Sequence, residues 1–310
     1  MSDAPKSPKA TANDLLAKVI KPAFGGVYPL PIPLAEIITD YTRQRFPADP
    51  ITEIKGADLP GFEGMLRPNK ARTRWQILYN DADASPGRIR FTQAHEFGHY
   101  LLHRQKRDAF SCSDADMVEW DAVEAGIEKE ADEFAATFLM PTDDFRDQVA
   151  GEAASFGLLS HCAERYEVSL MAAMLKWVEF APRRAVVLAV RDDFVLWARA
   201  NEAAFKSGVY LATRKRTIAV PTRSVFDNRN RVAQAEVNGI RANCWFPREP
   251  AEMPLTEMSF VSDQYRLTLG ILLLPDAERR YRRQEDLDEE DEGLESTIDR
   301  FERCGQPIIR

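Results

Sequence analysis

The pattern H-E-x-x-H, in the run from Arg90 to His103, limits the folds open to this chain more than any other feature. Two histidines four residues apart, His95 and His99, project from one face of an α-helix about one turn apart, so both imidazoles can reach one cation. Glu96 lies beside them, where zinc hydrolases carry a general base. A histidine on an amphipathic helix usually just packs, but three of the chain's 4 His fall within positions 95–103. That concentration favours a metal site.

His103 continues the same row of the helix. Three successive turns span roughly 12 Å, which is too long for all three rings to meet one ion. We therefore interpret His103 as a helix-end or packing residue. The spacing also lacks the third histidine of the longer pattern H-E-x-x-H-x-x-G-x-x-H, which disfavours that class. Because catalytic zinc usually takes three protein ligands and leaves the fourth position to water, a third ligand must come from elsewhere.

Residues 128–141 are the predicted source of that ligand. Together with Ile127, they are predicted to form a helix with one buried stripe. The stripe consists of Ile127, Ala131, Phe134, Ala135, Phe138 and Leu139. The small residues of the stripe would let this helix approach the histidine helix closely. Glu128 is the predicted third ligand, and Asp132, one turn further along, is the predicted acceptor for a ligating imidazole N–H. Both carboxylates could equally be the solvated border of the helix, and Glu124 and, less strongly, Glu130 are rival ligands.

Two blocks of the sequence resemble the ImmA/IrrE metallo-endopeptidases, in the same order as in that family. They are Arg90-Phe91-Thr92-x-Ala94-His95-Glu96-x-Gly98-His99-x-Leu101-Leu102-His103 and Glu128-x-x-Ala131-Asp132-x-Phe134-Ala135-x-x-x-Leu139-Met140-Pro141. The resemblance covers about residues 75–141. It implies a compact zincin-like domain, zinc on His95, His99 and Glu128, and Glu96 as the general base. It also implies cleavage of a repressor protein in the bacterial cytoplasm. The family more often has Asn at Asp132, and either side chain can accept a hydrogen bond.

The composition predicts a soluble chain of about two domains, because 310 residues with 45% hydrophobic content can bury sizeable cores. No apolar run approaches the roughly 18 residues that span a bilayer, and the amino end lacks the apolar core of a signal peptide, so we expect a cytoplasmic protein. The 4 Cys are far apart and suit a reducing compartment. A net charge of -8 argues against nucleic acid as the main partner.

The order of patterns predicts an α+β chain with several parts. These are a disordered segment at 1–12, a mainly helical zincin-like peptidase domain with a small sheet at 13–150, a helix-turn-helix-like segment at 151–182, a β-rich and possibly sensor-like domain at 183–275, and an acidic tail at 276–310. In the last domain, strands are predicted at 185–190, 194–198, 217–220, 242–246 and 265–274.

Residues 75–80 alternate as a strand should. In zinc peptidases of this design a strand edge beside the metal binds the substrate backbone, and this strand is the natural candidate, with a core strand as the alternative. Tyr79 within it is a candidate donor to the developing oxyanion, although a strand Tyr more often lies in the core or at the rim.

The helix-turn-helix-like segment would need basic residues on its second helix to read DNA, and only Lys176 is found there. A scaffold or partner-docking role is therefore favoured. The predicted function is a zinc-dependent endopeptidase, with Mn²⁺ as the alternative ion, that cleaves a transcriptional repressor or a similar regulatory protein. The alternative is a non-cleaving regulatory module that binds a repressor or DNA.

Overall fold

A computed structural model of the chain describes residues 6–82, 85–105, 110–113, 122–230, 232–262 and 266–277. The chain is α+β, as predicted. It divides into two compact units, Met1–Glu152 with Gly157–Ala173, and Ala153–Phe156 with Met174–Arg310. The predicted acidic tail falls outside the described residues from position 278 onward.

Most of the helices precede residue 181. They are α1 (Pro8–Leu15), continued by a π-helical turn (Leu16–Ile20) and by α2 (Lys21–Ala23), then α3 (Leu34–Arg45), α4 (Pro86–His103), α5 (Ala122–Leu139), α6 (Thr142–Val149), α7 (Phe156–Tyr166) and α8 (Leu170–Phe180). The two helices predicted to carry the metal ligands are therefore α4 and α5.

Helix α1 begins earlier than the sequence predicted. Residues 8–12, predicted to be disordered, are helical. The Ser7 side chain accepts a hydrogen bond from the Ala10 amide, and Pro8 occupies the first helical position, where its missing N–H does no harm. Ala12 and Leu15 are buried, and α1 packs against α5. Composition alone overlooked this burial.

The sheet of the first unit has four strands, β1 (Ile51–Ala57), β2 (Phe62–Pro68), β3 (Trp75–Asn80) and β4 (Phe110–Ser113), in the order β1-β3-β2-β4. β3 pairs in parallel with β1 and antiparallel with β2. The prediction that β3 offers a free edge is therefore wrong, and the alternative of a core strand is confirmed. The reason is burial, because Trp75, Ile77 and Leu78 lie in the core, which places this strand inside the sheet.

Helix α4 starts with a clear cap and crosses α5 at short range. The Ser85 side chain accepts a hydrogen bond from the Arg88 amide, and Pro86 stands in the first turn. Near the middle of α4, a Cβ added to Gly98 would lie 3.2 Å from the carbonyl oxygen of Ala131 and 3.3 Å from its Cα. Two small residues thus bring the helices together, as the stripe on α5 predicted.

Aromatic rings on the other side of this crossing fix the pair in the core. The Phe97 ring centroid lies 5.6 Å from those of both Phe134 and Phe138, and all three side chains are fully buried. Such pairs contribute about 1 kcal/mol each beyond the area that they bury. α4 therefore presents its aromatic row to the core and its histidine row to the predicted site.

The second unit contains a six-stranded antiparallel sheet with the order β7-β6-β5-β10-β9-β8. Its strands are β5 (Arg184–Arg191), β6 (Phe194–Ala200), β7 (Ile218–Ala219), β8 (Gln234–Arg241), β9 (Pro254–Ser262) and β10 (Leu267–Leu274), and a short helix α9 (Glu202–Lys206) follows β6. The strands predicted at 185–190 and 194–198 are confirmed and lie within β5 and β6. Those predicted at 217–220 and 265–274 are confirmed in their central parts, because they include β7 and β10 but are longer than the observed strands.

Other predictions in this unit are wrong or incomplete. Residues 242–246 are not a strand, since Ala242–Cys244 form a 3-10 turn that places Trp245 and Phe246 in the core. The prediction failed because a turn that buries bulky side chains has the same apolar composition as a short strand. β8 and β9 were not predicted, and β8 is mostly exposed, so it lacks the apolar alternation on which such predictions depend.

The predicted order of helix, turn and helix is present in α7, residues 167–169 and α8. Glu167 in the turn has a positive φ of 50°. Lys176, the basic residue considered for DNA contact, has a side chain only 5% exposed and lies 3.8 Å from the carboxylate of Glu179. In the part of the chain that the structure describes, no helix is long and apolar enough to cross a bilayer.

Candidate metal centre

Three side chains from α4 and α5 converge on one point. The Nε2 atoms of His95 and His99 are 2.9 Å apart, and the Glu128 carboxylate oxygens lie 3.1 Å from Nε2 of His95 and 3.3 Å from Nε2 of His99. Zinc–nitrogen distances of about 2.0–2.1 Å place tetrahedral ligand atoms about 3.3 Å from one another. Two imidazoles and a carboxylate at this spacing fit a zinc ion, and they are the ligands predicted from the sequence.

Burial keeps the imidazole of His99 in the form that binds metal. His99 is completely buried, and its burial, reinforced by the neighbouring His95, lowers the pKa of His99 to about 4. A neutral imidazole offers a lone pair, whereas a protonated ring offers none. At neutral pH this ring is therefore ready to act as a ligand.

The carboxylate of Glu128 stays charged despite its position. Burial by itself would raise the pKa of Glu128, but its close contacts with the rings of His95 and His99 outweigh that effect and hold the pKa well below its usual range. The site thus combines one negative charge with the neutral nitrogen donor of His99 and the adjacent ring of His95. That combination attracts a divalent cation.

Asp132 lies behind His95. Its Oδ1 is 2.8 Å from Nδ1 of His95, on the side of the ring opposite the convergence point. Burial raises the pKa of Asp132, and the hydrogen bond with His95 offsets part of this rise. If His95 donates its Nδ1–H to Asp132 in a hydrogen bond, its Nε2 keeps the lone pair that binds metal.

His103 is the last residue of α4 and is buried, as our interpretation of the sequence expected, and it also makes polar contacts. It is fully buried, with its Nδ1 3.1 Å from Nδ1 of His99 and its Nε2 2.7 Å from the Glu130 carboxylate. Glu130, a rival ligand in the sequence, contacts His103 instead. The i, i+4 spacing after His99 was the available signal. The side chain of the other rival, Glu124, lies outside the described part of the chain.

Glu96 is completely buried on the side of α4 that faces β2. A Cβ added to Gly64 of β2 would lie 2.6 Å from Glu96 Oε1 and 2.5 Å from Thr92 Cγ2. Only glycine leaves room for the carboxylate here. Sequence reasoning missed Gly64, because nothing in the local pattern relates it to a residue 32 positions later.

Tyr79 is the register partner of Gly64 across β2 and β3. Directly paired residues project from the same face of a sheet, so Tyr79 stands on the face that meets α4. Its side chain is half-buried. The structure thus places it on the side of the sheet nearer Glu96, and its role as an oxyanion donor stays a prediction.

A helix with two histidines and an adjacent buried glutamate, facing a carboxylate on a second helix, defines a metallopeptidase type of site. Residues 53–177 match the family model of the IrrE N-terminal-like domain, Peptidase M78. This match confirms the resemblance to the ImmA/IrrE proteins and extends it to β1, β2 and the α7–α8 segment. A search of curated proteins found no match to the chain.

Proposed function

We propose that this protein is a zinc-dependent endopeptidase of zincin-like design that cleaves a transcriptional repressor or a similar regulatory protein. The observation that carries the proposal is the convergence of His95, His99 and Glu128 beside the buried Glu96. A structural zinc site is generally closed by four protein ligands. Among the described residues only these three form such a group, which leaves a fourth position for water or substrate.

In this mechanism, His95, His99 and Glu128 would hold a zinc ion, which would supply Lewis-acid chemistry by lowering the pKa of a water molecule and polarising the scissile carbonyl. Glu96 removes a proton from the attacking water and returns it to the leaving amine. Asp132 holds the ring of His95 in the orientation that points Nε2 at the convergence point. A positioned general acid or base contributes roughly 10²–10⁴ in rate.

The substrate backbone needs a strand edge near Glu96, and β3 cannot supply it. β2 touches Glu96 at Gly64, and β4 pairs with the other side of β2, with Cys112 opposite Gly64. β4 ends the described sheet on this side. An extended peptide would add to β4 through backbone hydrogen bonds, as in strand addition generally. This assignment replaces β3 with β4 as the docking strand.

The test incubates the purified protein and two variants with any DNA-binding regulator that is encoded beside it. Glu96→Gln retains the ligands and is expected to keep its zinc while losing cleavage by at least about 10²-fold. His99→Ala removes a ligand and is expected to lose both zinc and cleavage. Metal analysis and mass spectrometry of the fragments provide the readout, and the same metal analysis decides between zinc and Mn²⁺.

A different result would support the non-cleaving alternative. A stable complex, or a shift of DNA mobility, without fragments at any metal loading would overturn the peptidase assignment. Cleavage by Glu96→Gln at the wild-type rate would overturn the role of Glu96. The buried Lys176 gives α8 no free basic residue at that position, which argues against DNA as the direct partner.

A further inference from the structure

A chain of hydrogen bonds leads from the metal centre toward solvent. It starts at Nδ1 of His99, passes through both ring nitrogens of His103, and ends at the Glu130 carboxylate, with distances of 3.1 Å and 2.7 Å. His103 is fully buried, whereas the Glu130 side chain is 46% exposed. The pair His103–Glu130 therefore adds a further polar contact between α4 and α5, beyond the ligand group and the contact of His95 with Asp132.

Proton counting fixes the direction of each hydrogen bond in this chain. If His99 gives the lone pair of Nε2 to a metal, its Nδ1 carries the proton and donates. Nδ1 of His103, which lies 3.1 Å away, then accepts this proton in a hydrogen bond, so His103 carries its own proton on Nε2. That proton faces a carboxylate oxygen of Glu130, which can only accept. Each donor meets an acceptor, and the reverse order would turn an N–H toward the metal.

We propose that His103 and Glu130 form a positioning pair that holds His99 in the tautomer and ring orientation required for metal binding. Asp132 supports His95 by accepting a hydrogen bond from its Nδ1 directly. In the pair, the ring of His103 takes this role for His99, and Glu130 in turn supports His103. Neither residue touches substrate or metal. The proposal rests on the metal site of the proposed function, and it does not depend on peptide cleavage.

The positions of the two helices explain why the ring of His103 lies between His99 and Glu130. His103 lies on α4 one turn after His99, while Glu130 approaches from α5, two residues after the ligand Glu128. A buried imidazole whose ring nitrogens lack partners would destabilise the fold. Glu130 satisfies the outer nitrogen of His103 and His99 satisfies the inner one, so the pair fixes both rings together.

Zinc affinity tests the pair without any assay of activity. His103→Phe removes the acceptor, and we expect zinc to bind about 10–100-fold more weakly, the usual effect of losing a partner behind a ligand. His103→Asn places an amide oxygen near the position of Nδ1, so it should restore most of the affinity. Glu130→Ala should weaken binding less than His103→Phe, because water can reach the exposed end. Glu133→Gln, a carboxylate change elsewhere on α5, is the matched control and should bind as wild type.

The tautomers can be read directly in the wild-type protein, which removes any question of misfolded variants. The chain has only 4 His, so long-range proton–nitrogen NMR spectra are simple to assign, and His103→Asn identifies the signals of His103. In the zinc-loaded protein we expect a proton on Nδ1 of His99 and on Nε2 of His103.

Two results would overturn the pair, and they differ from failure of the proposed function. A proton on Nδ1 of His103 reverses the chain and contradicts the proposal. Equal zinc affinity of the wild type and folded His103→Phe, checked by thermal unfolding of the metal-free proteins, does the same. If the wild type itself bound no zinc, the metal site would fail together with the pair.

Discussion

Replacement of Gly64 by Ala tests whether the position of the Glu96 carboxylate sets the rate. The added methyl would lie 2.6 Å from Glu96 Oε1, 3.2 Å from Glu96 Cγ and 2.5 Å from Thr92 Cγ2. Ordinary contacts between such atoms are about 3.5 Å, so the misfit is about 1 Å. Thr92 is β-branched and stiff at χ1, whereas a glutamate can turn about several bonds. The carboxylate is therefore the group that gives way.

The magnitude follows from this misfit. A displacement of about 1 Å in a catalytic group costs about 10²-fold in rate. A 100-fold loss corresponds to about 2.7 kcal/mol in the activation barrier. Separately from this effect on the rate, overpacking of a buried site should lower the free energy of unfolding by about 1–3 kcal/mol. The ligands are not displaced directly, so zinc affinity should stay close to that of the wild type.

The assay measures kcat/KM on a cleaved substrate together with zinc stoichiometry, for Gly64→Ala and for Gly126→Ala. Gly126 lies in α5 and has no atom within 4 Å of an added Cβ, so the same change there should leave activity intact. It should also stabilise the helix by up to about 1 kcal/mol. Wild-type kcat/KM in folded, zinc-loaded Gly64→Ala would refute the reasoning.

Two further predictions concern the support of His95 and the stability of the first unit. Asp132→Ala removes the acceptor 2.8 Å from His95 Nδ1 and should weaken zinc binding about 10–100-fold in a chelator competition. Asp132→Asn keeps an acceptor oxygen and should retain the affinity. Equal losses in both variants would contradict the hydrogen-bond role of Asp132. Asp144 accepts two hydrogen bonds from Arg165, at 2.8 and 2.7 Å, and one from Tyr166 at 2.7 Å, so Asp144→Ala should lower the free energy of unfolding by about 2 kcal/mol in urea at neutral pH. Burial alone would raise the pKa of Asp144, but these bonds outweigh it and lower the pKa, so the stabilisation is present above the unfolded-state pKa and disappears as the pH falls through the folded-state pKa. A difference between wild type and variant that persisted in strong acid would exclude this origin.

The sequence predicted the part of the site that depends on helical periodicity. The spacing of His95 and His99 and the stripe around Ala131 are local patterns, and a helix converts them directly into a common face. Periodicity put Glu128 on that face, but it put the rival Glu124 on the same side and so did not by itself separate the two. Local pattern and tertiary packing agree at these residues.

The parts that failed depend on contacts between distant segments. Nothing within residues 75–80 specifies that β1 and β2 flank β3 on both sides, since strand order follows from the packing of the whole sheet. Gly64 matters only because β2 lies against Glu96. For His103, the row was visible, but its partner Glu130 comes from another helix. Distances across helices and strands, rather than spacing along the chain, define these roles.

The ligand atoms come from α4 and α5, which are joined through residues 104–121. An ion held by both helices would therefore act as a crosslink between them and bind only when they are assembled. By mass action, a free ion concentration 100 times its dissociation constant adds about 2.7 kcal/mol to the stability of the folded state. The chelating capacity of the surroundings would thus regulate how long the molecule survives, as well as whether it reacts.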